Sequence, residues 1–322
     1  MRVQREGTAL GLSQIIDSLF AHTRLAKGRL TSALTVQTEA GDCCPYIVQY
    51  IAMYATDTFF FCNKLIAGVG NALRLYEFGK KKLLRKAECA DFPNFVTTIH
   101  GSGDRVYVGD VQESFHYIKY KKEDSTLYVA ADDTTPRHVT SAVPLDYDTM
   151  CGGDKFGNVF VTRLTKDASV EMEEDPTGGL NLDARSVLNG SAHKTTCVAQ
   201  FHVGETVCAL TKGTLTSGGN ESVIYCSLNG TIGALSPFVN KEDVDFCTHL
   251  EMHLRQEKPP LLGRDHLAFR GAFFPVKNVI DGDLCEQFGL LNHDAQKRVA
   301  EDMDLSPSEI LKKLEDLRAA VM

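Results

Sequence analysis

The feature that most constrains the fold of this chain is a hairpin pattern that recurs along its middle. Four segments share an apolar run, a tight turn of Gly, Asn or Asp, and a second, alternating apolar run. They are KLIAGVGNALRLYEF (64–78), RVYVGDVQESFHYIKY (105–120), TMCGGDKFGNVFVTRL (149–164) and SVIYCSLNGTIGALSPF (222–238). Two β-prone runs around such a turn predict a β-hairpin. In the last segment, Asn229-Gly230 favours a type I′ turn, in which both central residues have positive φ.

The spacing of these turns predicts a β-propeller. Turn centres at Asn71, Glu113 and Asn158 follow one another at intervals of 42 and 45 residues, which is the length of one four-stranded blade. Further strand candidates lie between the hairpins, at 94–101, 125–133, 138–146 and 206–213. The longer interval before Asn229 contains an acidic segment with Pro and Gly, residues 166–186, which we expect to be a surface insertion. A β-sandwich or barrel stays open as the alternative, because strands and turns alone do not fix closure.

After Phe238 the periodicity changes from strand to helix. Asn240 is the predicted N-cap of a first helix, and further helices are expected in DGDLCEQF and HDAQKRVAEDM. In the last helix Ser306 is the predicted N-cap, Pro307 the first helical residue, and Glu309 the partner in a capping box. Ile310, Leu314 and Leu317 then follow on one apolar stripe.

Charge and cysteine usage limit the class of protein. The formal net charge of −8 argues against extensive electrostatic binding to nucleic acid. The ten cysteines form no C-x-x-C spacing and suit buried side chains in a reducing compartment. The most apolar stretch, residues 46–62, contains Gln49 and Asp57 and is shorter than a membrane span of about 20 residues. We therefore expect no contact with a membrane.

The string HLEMH is the segment of the chain that most resembles the motif of a catalytic metal site. His249 and His253 share a helix face, and His266 could join them as a third metal ligand. Glu251, however, lies about 200° round the helix from His249, where it cannot reach a metal-bound water. We therefore expect no metal, no cofactor and no catalytic residue, and keep a metal-dependent hydrolase only as the alternative of a different class.

Lysines cluster at corresponding places in two repeats. Lys80, Lys81 and Lys82 lie in GKKKLLRK, and Lys121 and Lys122 follow one repeat later. If neighbouring blades face the same way, these lysines form a basic patch that could touch RNA backbone or an acidic partner. A solvated surface is the simpler interpretation.

The longer motifs resemble a known family. Six segments carry the resemblance: GKKKLLRK, VYVGDVQESF, DYDTMCGGDKFGNVFVTRL, VIYCSLNGTIGALSPF, EMHLRQEKPPLLGRDHLAFR and FPVKNVIDGDLCEQF. They are similar to the C-terminal part of the splicing factor 3b subunit three family, the spliceosome-associated 130-kilodalton proteins. The resemblance runs from Asn63 to the C-terminus. It implies partial, WD40-like β-propeller blades at 63–238, belonging to a third propeller, followed by a small C-terminal α-helical domain at 239–322.

The resemblance also implies a function. Members of this family are non-enzymatic scaffolds of pre-mRNA splicing in the nucleus, in the U2 snRNP, beside a HEAT-repeat subunit and a small zinc-bearing subunit, with RNA contact possible but indirect. Asp110, Gln112 and Glu113 would then belong to a blade turn available to partners, together with the apolar stripe of the last helix. An adaptor of the damaged-DNA-binding type, serving a cullin ubiquitin ligase, is the alternative scaffold.

Residues 1–62 do not share the resemblance. About four blade hairpins cannot close a seven-bladed ring, and an open ring exposes strand edges. We expect a truncated gene model; a split or degraded gene copy and a short protein completed by a partner are the alternatives.

Overall fold

The structure, a computed structural model, describes residues 57–61, 64–78, 83–174, 191, 193–215, 219–257 and 263–321. The predictions for residues 1–56 and for residues 175–186 of the acidic insertion lie outside those ranges. The chain divides into two compact units. Unit 1 comprises Met1–Lys155 and Thr162–Thr196, and unit 2 comprises Phe156–Val161 and Cys197–Met322.

Unit 1 begins with a four-stranded antiparallel sheet. Its strands are neighbours in chain order: β1 (Asp57–Phe61), β2 (Lys64–Val69), β3 (Ala72–Phe78) and β4 (Leu83–Cys89). The β2–β3 turn carries Gly70 at φ 64°, a left-handed conformation that glycine adopts without steric cost. β1 falls within the segment that the sequence analysis leaves unmatched, and its full pairing with β2 completes a blade-like meander.

The second sheet of unit 1 repeats this arrangement. Its first four strands are again neighbours in chain order, within a larger sheet of eight strands: β5 (Val96–Ser102), β6 (Arg105–Asp110), β7 (Phe115–Lys121) and β8 (Thr126–Asp133). A hairpin of β9 (Val139–Pro144) and β10 (Thr149–Asp154) follows. β11 (Asn158–Arg163) and β12 (His193–His202) each contribute residues to both units. The start of β12 pairs in parallel with the end of β8, a pairing that hairpin signals do not predict.

The core of unit 1 is built from alternating apolar residues of the first two sheets. Its fully buried members include Ile66, Leu73, Leu75, Val106 and Ile118. Every residue of β6 is buried, and since successive side chains point to opposite faces, this strand is covered on both sides. Each large aliphatic side chain buried here stabilises the fold by about 1.5–3 kcal/mol. A four-stranded sheet stacked on the first four strands of a larger sheet is the packing expected of neighbouring propeller blades.

The acidic segment predicted as a surface insertion begins with a helix instead. This helix, α1, spans Lys166–Glu174 and buries Ser169 and Met172. The sequence of α1 does not predict a helix, because its apolar positions are few and its charges are typical of a solvated loop.

Unit 2 contains a three-stranded antiparallel sheet of β13 (Val207–Thr214), β14 (Glu221–Ser227) and β15 (Ile232–Leu235). The hairpin predicted around Asn229 is confirmed, but the predicted type I′ turn is wrong. Only Gly230 has a positive φ, 92°. Ser227 N–H donates to the Thr231 carbonyl at 2.9 Å and Gly230 N–H to the Ser227 carbonyl at 3.2 Å. The loop therefore has three residues, with glycine at its left-handed position.

The C-terminal part of unit 2 is helical. It contains α2 (Lys241–Glu257), α3 (His266–Arg270), α4 (Gly282–Glu286), a 3₁₀ turn (Gln287–Leu290), α5 (His293–Asp302) and α6 (Pro307–Val321). Buried apolar residues of α2, α4, α5 and α6 form a second core. No helix of the described ranges is long and apolar enough to span a membrane.

The predicted capping box of the last helix is confirmed. Ser306 N–H donates to Glu309 Oε2 at 2.8 Å, and Glu309 N–H donates back to Ser306 Oγ at 3.3 Å. Pro307 is the first helical residue, as predicted. The predicted fold class, mainly β with blade-like sheets followed by a short helical region, is confirmed.

Candidate functional site

The turn between β6 and β7 contains three of the predicted contact residues. Asp110 is fully buried. Its Oδ1 accepts the N–H groups of Gln112 at 2.7 Å and Glu113 at 3.1 Å, and its Oδ2 accepts Asn94 N–H at 3.2 Å. Asp110 therefore supplies acceptors for backbone donors that the turn leaves unpaired. Gln112 is exposed and Glu113 is half-buried.

A buried ion pair holds the far side of this turn. Ser114 has φ 64°, and its hydroxyl donates to Asp133 Oδ2 at 2.6 Å. Arg137 Nη1 donates to the same oxygen at 2.7 Å, and both side chains of this pair are almost completely buried. Removing one partner of such a pair leaves an uncompensated buried charge. The turn therefore presents Gln112 and Glu113 from a rigid support.

The predicted basic patch is described only in part. Lys80, Lys81 and Lys82 lie outside the described residues. Lys121 pairs with Asp124 at 2.8 Å and Lys122 with Asp104 at 2.7 Å, at the β7–β8 turn. The seven residues of β7 separate this turn from the Asp110 turn by about 20 Å. The structure therefore does not bring these two predicted groups together.

The predicted apolar stripe of α6 packs mainly inside unit 2. Ile310 is fully buried in the helical core, and Leu314 and Leu317 pack against that core while half-buried. Ile310 has no exposed surface to offer a partner. Leu314 and Leu317 keep part of theirs.

A buried arginine organises a polar cluster that the sequence analysis missed. The side chain of Arg105 is completely buried. Its Nη1 donates to the Tyr147 carbonyl at 3.1 Å and to Asp148 Oδ1 at 2.8 Å. Its Nη2 donates to Ser169 Oγ at 3.1 Å and Glu173 Oε1 at 2.9 Å. Arg105 thus ties a β-turn and helix α1 to strand β6.

Further contacts strengthen this cluster. The Arg105 guanidinium lies 4.0 Å from the centre of the Tyr147 ring, close enough for a cation–π interaction. Lys119 Nζ donates to the Met172 carbonyl of α1 at 2.8 Å. Burial lowers the pKa of Arg105, but the hydrogen bond to Asp148 and its other anionic partners outweigh burial and raise it overall. Burial and a hydrogen bond to Glu173 raise the pKa of Tyr147 to about 12. The cluster is therefore a charged, structural support for α1.

In unit 2, Asp281 joins the helical region to the end of β12. Its Oδ1 accepts the N–H groups of Asp283 and Leu284 and so caps the N-terminus of α4. Its Oδ2 accepts His266 Nε2 and Arg270 Nε, both at 2.7 Å. Arg270 Nη1 also donates to the carbonyls of β12 residue His202 at 3.2 Å and of the following Val203 at 3.3 Å. Burial raises the pKa of Asp281, and His266 and Arg270 outweigh that effect and lower it.

The histidines weighed as metal ligands have different surroundings. His253 Nδ1 lies 3.7 Å from Asp302, and His266 is hydrogen-bonded to Asp281. Within the described residues, no three His, Cys, Asp or Glu side chains are grouped as a metal site would need. Burial raises the pKa of Glu251, which is nine-tenths covered by the helical core.

Unit 2 also exposes an aromatic pair that no sequence motif indicated. Phe156, in the turn before β11, is 53% exposed, and Phe273, in the loop after α3, is 55% exposed. Their ring centres lie 5.2 Å apart, and the ring of His202 lies 5.4 Å from Phe273. Exposed aromatic side chains held in a fixed geometry are typical of protein contact surfaces. The two residues are far apart in sequence, so only the fold brings them together.

The chain matches known proteins over most of its length. The profile of the family described as "CPSF A subunit region" matches residues 55–290. The chain is 53% identical over 262 residues to Spliceosome-associated protein 130 A of Arabidopsis thaliana, covering 81% of this chain and 22% of the relative. It is 54% identical over 259 residues to Probable splicing factor 3B subunit 3 of Dictyostelium discoideum, covering 80% and 21%. For Splicing factor 3B subunit 3 of Danio rerio, identity is 53% over 258 residues, covering 80% and 21%.

These matches confirm the resemblance stated from the motifs. The chain spans about a fifth of the length of the curated relatives it matches. The profile match extends over most of the described β-sheets and into the helices of unit 2. The chain therefore belongs to the CPSF A subunit region family.

Proposed function

We propose that this chain is a non-enzymatic scaffold segment of the splicing factor 3b complex of the U2 snRNP and acts in pre-mRNA splicing in the nucleus. The observation that carries the proposal is the identity of 53–54% to relatives named as splicing factor 3b and spliceosome-associated proteins, over about four fifths of the chain. Because the chain spans about a fifth of those relatives, the proposal concerns the contribution of this segment.

The mechanism we propose is assembly on rigid surfaces. Buried ion pairs such as Asp133–Arg137 fix the turns of unit 1, so a partner that binds there loses little conformational freedom in the scaffold. Gln112 and Glu113 are the candidate contacts at the Asp110 turn. Leu314 and Leu317 are the candidate contacts on α6. Lys121 and Lys122 already have acidic neighbours, which favours an indirect role towards RNA.

The partners follow from the family resemblance. We propose a HEAT-repeat subunit and a small zinc-bearing subunit of the same complex as the proteins that bind this segment. The test is to tag the protein at its native locus, purify it gently and identify the co-purifying proteins by mass spectrometry. Recovery of these two subunits with other U2 proteins supports the proposal. Recovery of cullin ligase components instead would favour the damaged-DNA-binding type of adaptor.

A surface variant tests the proposed contacts separately from the complex. Gln112→Ala combined with Glu113→Ala removes the accessible side chains of the Asp110 turn and leaves its buried support intact. We expect reduced recovery of a partner with unchanged thermal stability. Glu123→Ala, at the exposed β7–β8 turn of the same sheet, is the matched control and should not change recovery. If the double variant recovers all partners normally, the turn is not a contact, whereas the complex assignment stands on the first experiment.

A further inference from the structure

Two cysteines lie close to one another on neighbouring strands of unit 2, at a register shift. In the β13–β14 pair, Val207 lies opposite Ser227 and Ala209 lies opposite Cys226, with a register shift between Val207 and Ala209. The extra residue in that shift is Cys208. In a β-bulge of this kind, two residues of one strand oppose a single residue of the other. Cys208 and Ala209 therefore share Cys226 as their cross-strand neighbour.

This placement is compatible with a disulfide. The paired residues Ala209 and Cys226 have Cα atoms about 4.5–5.5 Å apart, as opposed residues of an antiparallel pair do, and Cys208 is the bulge residue next to Ala209. Disulfides join residues whose Cα atoms are about 4.4–6.8 Å apart. Burial raises the pKa of both thiols, and the charge of Cys208 raises the pKa of Cys226 further. That effect requires the two thiols to lie near one another, which agrees with the register.

The pair is also accessible to a small oxidant. Cys208 is exposed and Cys226 is half-buried. On the other side of β14, Cys226 lies opposite Ile232 of β15, whose side chain is 70% exposed. Opposed residues project from the same face of a sheet, so solvent reaches this face near Cys226 and Ile232, although Ile224, further along β14, is buried. Among the cysteines of the described ranges, four are buried and Cys197 is half-buried, which leaves Cys208 as the exposed thiol.

We propose that Cys208 and Cys226 form a modification site: an oxidisable dithiol that a two-electron oxidant of the hydrogen peroxide class converts to a disulfide. The Cys208 thiolate attacks the peroxide, the O–O bond breaks, and a sulfenic acid and hydroxide form. The Cys226 thiolate then attacks the sulfenic sulfur and displaces a second hydroxide. With protons from the two thiols, the products are one disulfide and two water molecules. The cross-link joins β13 to β14 covalently.

The experiment treats the reduced, full-length chain with hydrogen peroxide, blocks the remaining thiols, and maps the cysteines by peptide mass spectrometry. We expect one cross-linked peptide pair, containing Cys208 and Cys226, to form before any other disulfide. Because the raised pKa values of Cys208 and Cys226 leave little thiolate at neutral pH, the rate of disulfide formation should rise about tenfold between pH 7 and pH 8. Phenylarsine oxide, which bridges two adjacent thiols, should protect both cysteines from alkylation together.

Two variants and one condition make the outcome decisive. Cys208→Ser and Cys226→Ser should each abolish the cross-link, whereas Cys197→Ser, at the half-buried thiol of β12, should leave its rate unchanged. Unfolding the chain in urea should remove the preference for this pair. Independent oxidation of Cys208 and Cys226 to sulfinic acids, or alkylation of both in the presence of phenylarsine oxide, would overturn the proposal.

Discussion

Replacing Arg105 with methionine should destabilise unit 1 by about 3 kcal/mol. The substitution keeps an unbranched side chain in a completely buried position and removes the donors to Asp148, Ser169 and Glu173. Breaking a buried ion pair by removing one partner costs about 3–5 kcal/mol. Asp148 and Glu173 keep 28% and 41% of their side chains exposed. Water can therefore rehydrate part of their charge, and the lower end of that range applies.

The assay is urea unfolding of the Arg105→Met variant, together with hydrogen exchange. With a denaturant slope of about 2 kcal/mol/M, a loss of about 3 kcal/mol lowers the midpoint by about 1.5 M. The helix α1 should lose its protection first, since Arg105 is its main buried anchor. Arg163→Met is the matched control: the side chain of Arg163 is 53% exposed, and its loss should change stability by no more than about 0.5 kcal/mol. Equal midpoints for the two variants would show that the hydrogen bonds of Arg105 contribute no net stability.

Three further predictions concern other parts of the fold. Burial lowers the pKa of His116 from 6.5 to about 4, so that as the pH falls the unfolded chain binds a proton before the folded chain does. The folded state therefore loses about 3 kcal/mol of stability between pH 6.5 and pH 4. The variant His116→Phe should lose less stability over this range, as measured by urea unfolding between about pH 8 and pH 4. Gly157→Ala should destabilise the fold by about 2–4 kcal/mol, because Gly157 has a φ of 85° and an added Cβ would lie 2.8 Å from backbone atoms of Glu205. The matched control is Gly230→Ala: Gly230 has a φ of 92° and no atom within 4 Å of an added Cβ, so this change should destabilise the fold by only about 1–2 kcal/mol. Both variants are measured by thermal unfolding. Ser306→Ala should remove the capping box of α6 and cost about 1 kcal/mol, measured by urea unfolding of unit 2.

Much of the fold could be predicted because its signals are local. A hairpin turn, a capping box and an N-cap each depend on residues within a few positions of one another. Ser306 and Glu309 are three residues apart, and their reciprocal hydrogen bonds form as predicted. The turn at Asn229 could be predicted only in part. Its residues are compatible with a two-residue or a three-residue loop, and the pairing between β14 and β15 selects the three-residue loop.

The polar clusters could not be predicted because their partners are distant in sequence. Arg105 follows a Gly-rich turn, so the sequence predicts only that it is the first residue of a strand. Its acidic partners lie 43 and 68 residues away, and only the packing of α1 against unit 1 brings them together. The aromatic pair Phe156 and Phe273 depends on the fold in the same way. By contrast, the long motifs that identify the family are contiguous, which is why the resemblance was visible in the sequence.

The most direct test of the central claim measures splicing itself. The protein is fused at its native locus to a degradation tag, depleted within a few hours, and intron retention is measured by sequencing of nascent RNA. We expect unspliced introns to accumulate across many transcripts before growth slows, and the wild-type chain to reverse the effect. Unchanged intron retention after complete depletion would contradict a role of this protein in pre-mRNA splicing.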